Sequence, residues 1–349
     1  MKNIRNTVFL CGFLLGETIY AIGGVELLTN TTVGSIANPA MQTSISNESV
    51  FYNPAAISFL NDGRYIYLGG YAAKINYKME VNNMYIKTTT PQVIPSFSYL
   101  QKNGKYSYYL GFGMSGQGGK LKIDTTIPLL NNMEANIIHG GVSFGVSYLI
   151  NNNLSFSFGG KGNYSKIELK GKLENQNIKN NKNSESFTFE TGVYYKLSKK
   201  INLSGKYLHK TKQDYGGDLA GLLSLGISYK LTEKERINMG YNIILEENNY
   251  NNSYEYAISL QKEINSKFNL SLGYSYSDRG NNNDEVYTFT ELSSHQIGIG
   301  GEYLIQENIV IGLVVGLIDY ENKSSKSTKP NIESSRIEKI AGLSIKIKY

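Results

Sequence analysis

The sequence predicts an all-β protein: a fourteen-stranded antiparallel transmembrane β-barrel. Three observations predict it. From about Arg64 to Tyr349 the chain runs in stretches of period-two hydrophobicity, the mark of strands with one apolar face. The connections between them alternate between very short polar turns and mostly longer polar loops, as in up-and-down barrels whose two rims face different compartments. The chain also carries 28 Tyr and no Trp. Tyr favours membrane interfaces, where its ring is half buried and its hydroxyl stays wet.

Residues 1–21 read as a secretory signal peptide. Lys2 and Arg5 form a basic start, Val8 to Gly16 an apolar core, and Ala21 ends a plausible cleavage site. The apolar run is too short to span a bilayer as a helix, and no other segment is long enough. The single cysteine, Cys11, falls inside this signal, so the mature chain has no disulfide or thiol chemistry. Formal net charge is +6; two positive and one negative charge leave with the signal, giving +5. The charge is scattered, with no basic stripe interleaved with stacking aromatics, and nucleic acid is not an expected partner.

Residues 22–62 do not alternate. They are rich in small and turn-forming residues and contain two Asn-Pro-Ala triplets, Asn38-Pro39-Ala40 and Asn53-Pro54-Ala55. This segment reads as a compact non-strand segment before the barrel proper, which occupies 63–349. The fourteen strands are expected at 64–80, 93–101, 105–115, 138–150, 153–170, 185–198, 201–213, 221–231, 235–248, 253–263, 267–278, 293–305, 308–321 and 336–349. The clearest are the ninth, with Ile237, Met239, Tyr241 and Ile243 against Asn238, Gly240 and Asn242, and the eleventh, with Leu270, Leu272 and Tyr274 against Ser271, Gly273 and Ser275. Small or polar residues recur on the second face, which suits a lumen better than a dry core. Short turns such as Lys102-Asn103-Gly104 and Asn151-Asn152 hold turn formers. An even strand count puts both barrel ends on the short-turn rim. The last strand ends on the aromatic Tyr349. Lys339 sits on its apolar face, a position that demands snorkelling near the outer interface.

Candidate enzymatic sites are poor. His139, His209 and His295 are scattered. Ser294 and His295 are sequence neighbours in a strand and so point to opposite faces. Neither metal-ligand spacing nor a phosphate-binding loop occurs, and no cofactor is expected.

Together, the signal, the plug ending in Phe51-Tyr52-Asn53-Pro54-Ala55-Ala56-Ile57, the fourteen strands and the terminal aromatic resemble the FadL family of outer-membrane transporters. The resemblance covers essentially the whole mature chain. It implies passive uptake of long-chain fatty acids or other hydrophobic small molecules by a monomer embedded in outer-membrane lipids. It makes residues 22–62 an N-terminal hatch inside the lumen, assigns Asn53, Pro54 and Ala55 to the hatch motif, and assigns Gly111, Gly113 and Gly116 to a third-strand kink that opens laterally. An alternative reading of these glycines is room for the plug. Loop 116–137 carries Ile127, Leu129, Leu130 and Met133, an apolar patch on a polar loop and a candidate landing groove for the ligand. Where the family has an acidic pair before its hatch motif, this chain has Ser46-Asn47-Glu48. Two rival functions fit the same strand pattern: an adhesin that uses the long loops, and a general diffusion porin.

Overall fold

The structure is a computed structural model that describes residues 38–81, 84–114, 119–125, 134–173, 176–211, 220–245, 252–278, 293–321, 323–325 and 332–349. The expected signal peptide and the start of the expected hatch, 22–37, lie outside the described residues.

The barrel strands are β1 (Gly63–Val81), β2 (Met84–Asn103), β3 (Tyr106–Met114), β4 (Gly119–Thr125), β5 (Glu134–Asn151), β6 (Leu154–Leu173), β7 (Gln176–Lys196), β8 (Ile201–Leu208), β9 (Gly221–Lys230), β10 (Glu235–Leu245), β11 (Ser253–Asn265), β12 (Phe268–Asp278), β13 (Ser294–Gln306), β14 (Ile309–Tyr320), β15 (Lys323–Ser325) and β16 (Ile332–Lys348). β3 and β4 run the same way between β2 and β5 and form one interrupted strand. β15 only extends the edge of β16. Fourteen barrel strands result. Each pairs antiparallel with its neighbours, and β1 pairs with β16 from Tyr65↔Lys348 to Val81↔Ile332, closing the cylinder.

The expected starts and ends hold at the short-turn rim but not at the other. The sequence places loops at 81–92 and 171–184. Instead, β1 and β2 are paired up to Val81↔Met84, and β6 and β7 up to Leu173↔Gln176. Stretches such as Lys87-Thr88-Thr89 and Asn180-Asn181-Lys182 are polar on both faces. Above the bilayer a strand needs no apolar face, so the alternation fades while the backbone pairing continues.

The two faces are inverted relative to a water-soluble protein. Phe144, Phe158, Leu272, Ile297 and Leu313 are exposed on the outside. Ser147, Ser157, Ser224, Ser228, Asn238, Asn242, Ser271 and Ser275 are buried inside. The apolar outer surface is far larger than a soluble monomer tolerates. Exposed Tyr106, Tyr195, Tyr229, Tyr303 and Tyr349 ring the short-turn rim, and Tyr164, Tyr256 and Tyr274 lie toward the other. These belts fix the barrel at two lipid–water interfaces.

Inside, one side chain straps four strands together. Tyr109 on β3, Gly145 on β5, Gly159 on β6 and Glu190 on β7 lie in one register row. The Tyr109 ring crosses both glycines and donates to Glu190 Oε1 at 3.0 Å. A Cβ on Gly159 would stand 2.2 Å from the Tyr109 hydroxyl and 2.5 Å from the Phe144 carbonyl oxygen. Gly159→Val is therefore expected to break the strap and lower barrel stability by about 1–3 kcal/mol, read as a lower denaturant midpoint of heat-modifiable gel mobility; an unchanged midpoint would remove the strap from the account.

Candidate functional site: the hatch seat and the broken third strand

The described part of the hatch consists of a 3-10 turn at Asn38–Thr43, one helical turn at Ser49–Tyr52 and a second 3-10 turn at Pro54–Phe59. It touches much of the wall. Its partners include β3, β5 to β11 and, through polar bonds, β1, β2 and β16. Ala40, Met41, Gln42, Thr43 and the run Tyr52 to Ser58 are buried. The hatch fills the bore at the short-turn end.

Local chemistry sets its shape. The ring of Pro54 forces Asn53 into an extended conformation, φ −147° and ψ 97°. From there Asn53 Oδ1 accepts the Ala55 N–H at 3.1 Å and caps the following turn. Its Nδ2 donates to the carbonyls of Val193 at 3.0 Å and Gly205 at 3.3 Å, a register pair on β7 and β8. Gly192 leaves the space, since a Cβ there would lie 2.4 Å from Asn53 Oδ1. The Ala55 carbonyl accepts from Ser155 at 2.7 Å and Ser147 at 3.3 Å. Pro54 and Ala55 are buried, Ala55 against Tyr194. The three motif residues are thus brought together and bonded to four strands.

Ion pairs surround this seat. Glu48, which stands where the acidic pair was expected, is buried and lies 3.2 Å from Lys346 Nζ; Glu302 lies 2.6 Å from the same nitrogen. Lys206 pairs with Glu190 at 2.8 Å and also donates to the Phe51 carbonyl at 3.2 Å. At the hatch exit, Asp62 accepts from the Gly104 N–H and from Lys102, which hold its carboxyl below the usual carboxylate range. Sequence reading missed the partners, Lys346 for Glu48 and Glu190 for Lys206. Their inward phase was legible, but which of many lumen positions faced the hatch was not.

The third strand is described in two pieces, β3 and β4, on either side of 115–118, which lie outside the described residues. β2 pairs with β3 from Asn103 to Ser96 and with β4 only at Thr88, Lys87 and Ile86. The register shifts by two residues across the break, on the β5 side as well. Thr89–Pro95 of β2 therefore has no paired residue on the third-strand side among the described residues. That stretch contains Pro91 and Pro95, which have no N–H to donate and are tolerated at edges and bulges. Gly111 and Gly113 lie in the paired part of β3. A Cβ on Gly111 would meet Val50 of the hatch at 2.8 Å. Gly116, and the whole landing-groove set Ile127, Leu129, Leu130 and Met133, lie outside the described residues.

Above the hatch, at the height of the break, Tyr71, Ala73, Ile94, Ile318 and Ile340 form a buried apolar patch on the inner wall, with Tyr320 packed against it. Ile94 belongs to the unpaired stretch of β2, and Tyr71 is its register partner on β1. The Tyr71 hydroxyl is buried without a hydrogen-bond partner among the described residues. Arg336 over the patch is neutralised by Glu338, and its guanidinium stacks on the Tyr320 ring at 4.5 Å. Ser294 is buried in the lumen while His295 is exposed outside, where it meets Tyr274 at 2.8 Å.

This architecture has close counterparts among solved structures. The chain resembles the P. putida toluene transporter TodX at 15% identity and TM-score 0.72, over 93% of this chain and 99% of that one. It resembles a Pseudomonas aeruginosa FadL homologue at 11% identity and TM-score 0.75, over 91% and 98%. The Ralstonia pickettii toluene transporter TbuX matches at 13% identity and TM-score 0.67, over 93% and 99%. The chain has the FadL-type fold. No family model and no curated protein matches it by sequence.

Two substitutions probe the FadL-type hatch seat. Asn53→Ala leaves two wall carbonyls and the Ala55 N–H without their partner, a loss of about 1–3 kcal/mol; hydrogen exchange over 46–58 should accelerate. Lys346→Met leaves Glu48 buried beside Glu302, a cost of about 3–5 kcal/mol. It should raise single-channel conductance as the hatch loosens, whereas a closed, unchanged channel would argue against the ion pair as an anchor.

Proposed function

We propose that this protein is a monomeric outer-membrane channel for passive uptake of hydrophobic small molecules. The observation that carries the reading is the placement of an apolar wall patch, Tyr71, Ala73, Ile94, Ile318 and Ile340, above the hatch and beside Thr89–Pro95, which has no third-strand partner among the described residues. An apolar molecule gains roughly 0.8 kcal/mol per methylene transferred from water to such a patch. The gap at Thr89–Pro95 offers it a path sideways into the bilayer, so it need not pass the hatch. The loop residues Ile127, Leu129, Leu130 and Met133 would collect it at the outer rim. The short-turn rim then faces the periplasm. The bonded hatch favours this reading over a general diffusion porin, which needs an open bore. The solved counterparts titled toluene transporters support it.

The charge pattern narrows the cargo. Lys206, Arg336 and Lys346 each have a carboxylate partner in the lumen. A fatty-acid carboxylate would have to compete with those partners, while an uncharged hydrophobe would not. In cells expressing the protein, an alkylbenzene should enter at least about tenfold faster than a carboxylate of matched carbon number. Equal rates would overturn the preference for uncharged cargo. Ile94→Asp, which sets a charge beside the gap, should cut alkylbenzene uptake to a similar degree without opening the channel to ions. Uptake indifferent to Ile94→Asp would remove the lateral route, and Leu129→Ser with Leu130→Ser tests the landing loop in the same assay.

A further inference from the structure

The outer surface of β16, β1 and β2 holds an arrangement that transport does not explain. Lys339 on β16 and Lys74 on β1 are register partners, and both are exposed on the lipid side. Like charges directly opposite each other on a sheet face destabilise it. One outward position higher, Asn76 on β1 faces Thr89 on β2, with Thr89 Oγ1 donating to Asn76 Oδ1 at 3.2 Å. One higher again, Lys78 and Lys87 repeat the like-charge pairing. Lys78 has a partner in Glu80 at 3.0 Å, and Lys87 lies over the Tyr85 ring at 4.6 Å. Among the described residues neither Lys74 nor Lys339 forms an ion pair. The outward carboxylates Glu80, Glu333 and Asp319 stand in higher rows.

The height of the pair identifies what surrounds it. Lys339 lies ten residues above Tyr349 at the short-turn rim. At roughly 3.3 Å per residue and a tilt near 40°, that is about 25 Å, the height of the apolar band of such barrels. The outward face of β1 changes there from Ile66, Leu68 and Ala72 to Lys74, Asn76 and Lys78. Two ammonium groups therefore sit together at the head-group level of the leaflet facing the long loops, on a low-dielectric wall.

We propose that Lys74 and Lys339 clamp a phosphomonoester head group of a lipid in that leaflet, with Lys87 as an outer contact. A phosphomonoester carries about −1.5 to −2 charges at neutral pH, which matches two lysines; a phosphodiester lipid carries only one. Chelation turns the like-charge cost into a site. Pro91, the register partner of Lys74, lies in the unpaired stretch of β2, so the held lipid borders the gap in the third strand. The site requires the membrane barrel and its orientation but not transport, so a failure of uptake would leave it standing.

The test is native mass spectrometry of the delipidated protein in detergent, with phosphatidic acid, phosphatidylglycerol and phosphatidylcholine of equal acyl chains as probes. The wild-type protein should retain phosphatidic acid best. Lys74→Gln with Lys339→Gln should lower that retention about thirtyfold, from roughly 1 kcal/mol per lysine. Lys199→Gln with Lys200→Gln removes equal charge from a short turn at the opposite rim and should leave it unchanged. Heat-modifiable mobility verifies folding; should the double variant fail to fold, Lys339→Gln alone should show about a fivefold loss. No preference for phosphatidic acid, an unaffected clamp variant, or an equal fall in the Lys199/Lys200 control would each overturn the site.

Discussion

In hydrocarbon every backbone N–H and C=O needs a partner inside the protein. The whole structure follows from that requirement. It forces β1 to meet β16, because an open edge in lipid would orphan a row of amides. It also sorts the side chains. Once the backbone is satisfied around the ring, one face of each strand is free to be apolar, and Phe158, Leu272 and Leu313 can point into lipid while Ser157, Ser271 and Val314 point inward. Among the described residues, Thr89–Pro95 is a stretch of β2 without a third-strand partner, the place of the proposed gap. Two prolines reduce the number of donors left there, and the inner wall behind the gap is apolar at Ile94 and Tyr71. Exposing apolar side chains to a passing hydrophobe is cheap at such a place. Exposing amides would not be.

The lumen solves a different problem. The hatch buries Val50 and Ile57 against Tyr65, Leu100 and Tyr109 of the wall, and Ala55 and Ala56 against Tyr194, while directed bonds set its register there. Asn53 does this with backbone carbonyls, Ala55 with serine hydroxyls, and Glu48 with Lys346. Buried ion pairs contribute little net stability but are costly to break one-sidedly. They define one seating of the hatch rather than a deep energetic well.

Much of this was legible in the sequence, for identifiable reasons. Strands crossing lipid must alternate, so Ile237 to Leu245 and Phe268 to Ser277 announced their faces. Asn53-Pro54-Ala55 announced its turn, because proline restricts the residue before it and asparagine caps locally. The upper halves of β2 and β7 were not legible, since Lys87-Thr88-Thr89 and Lys179-Asn180-Asn181 are as polar as loops. The apolar wall patch was hidden for a related reason. Tyr71, Ile94, Ile318 and Ile340 come from four strands, and only the register shows that they share one height. Glycine was ambiguous as well: Gly111 clears space for Val50, and the described pairing of β2 with β3 runs on to Ser96↔Gly113.

The outward lysines show why the two faces must be read by height as well as by phase. Phase alone makes Lys339 an error, a charge in the middle of Ile337, Ala341 and Leu343. Height places it where the bilayer changes from hydrocarbon to head groups, and there a lysine stem covers apolar surface while its ammonium reaches water or phosphate. Register adds the third coordinate by bringing Lys74 alongside. Two charges that would repel in isolation become a chelating pair once an anion of matching charge stands between them. Because Lys74 is also paired across to Pro91, the strands that bear this cation pair are the ones that border the gap. The proposed lipid site outside and the proposed cargo route inside therefore share one seam of the wall, between β1, β2 and the third strand.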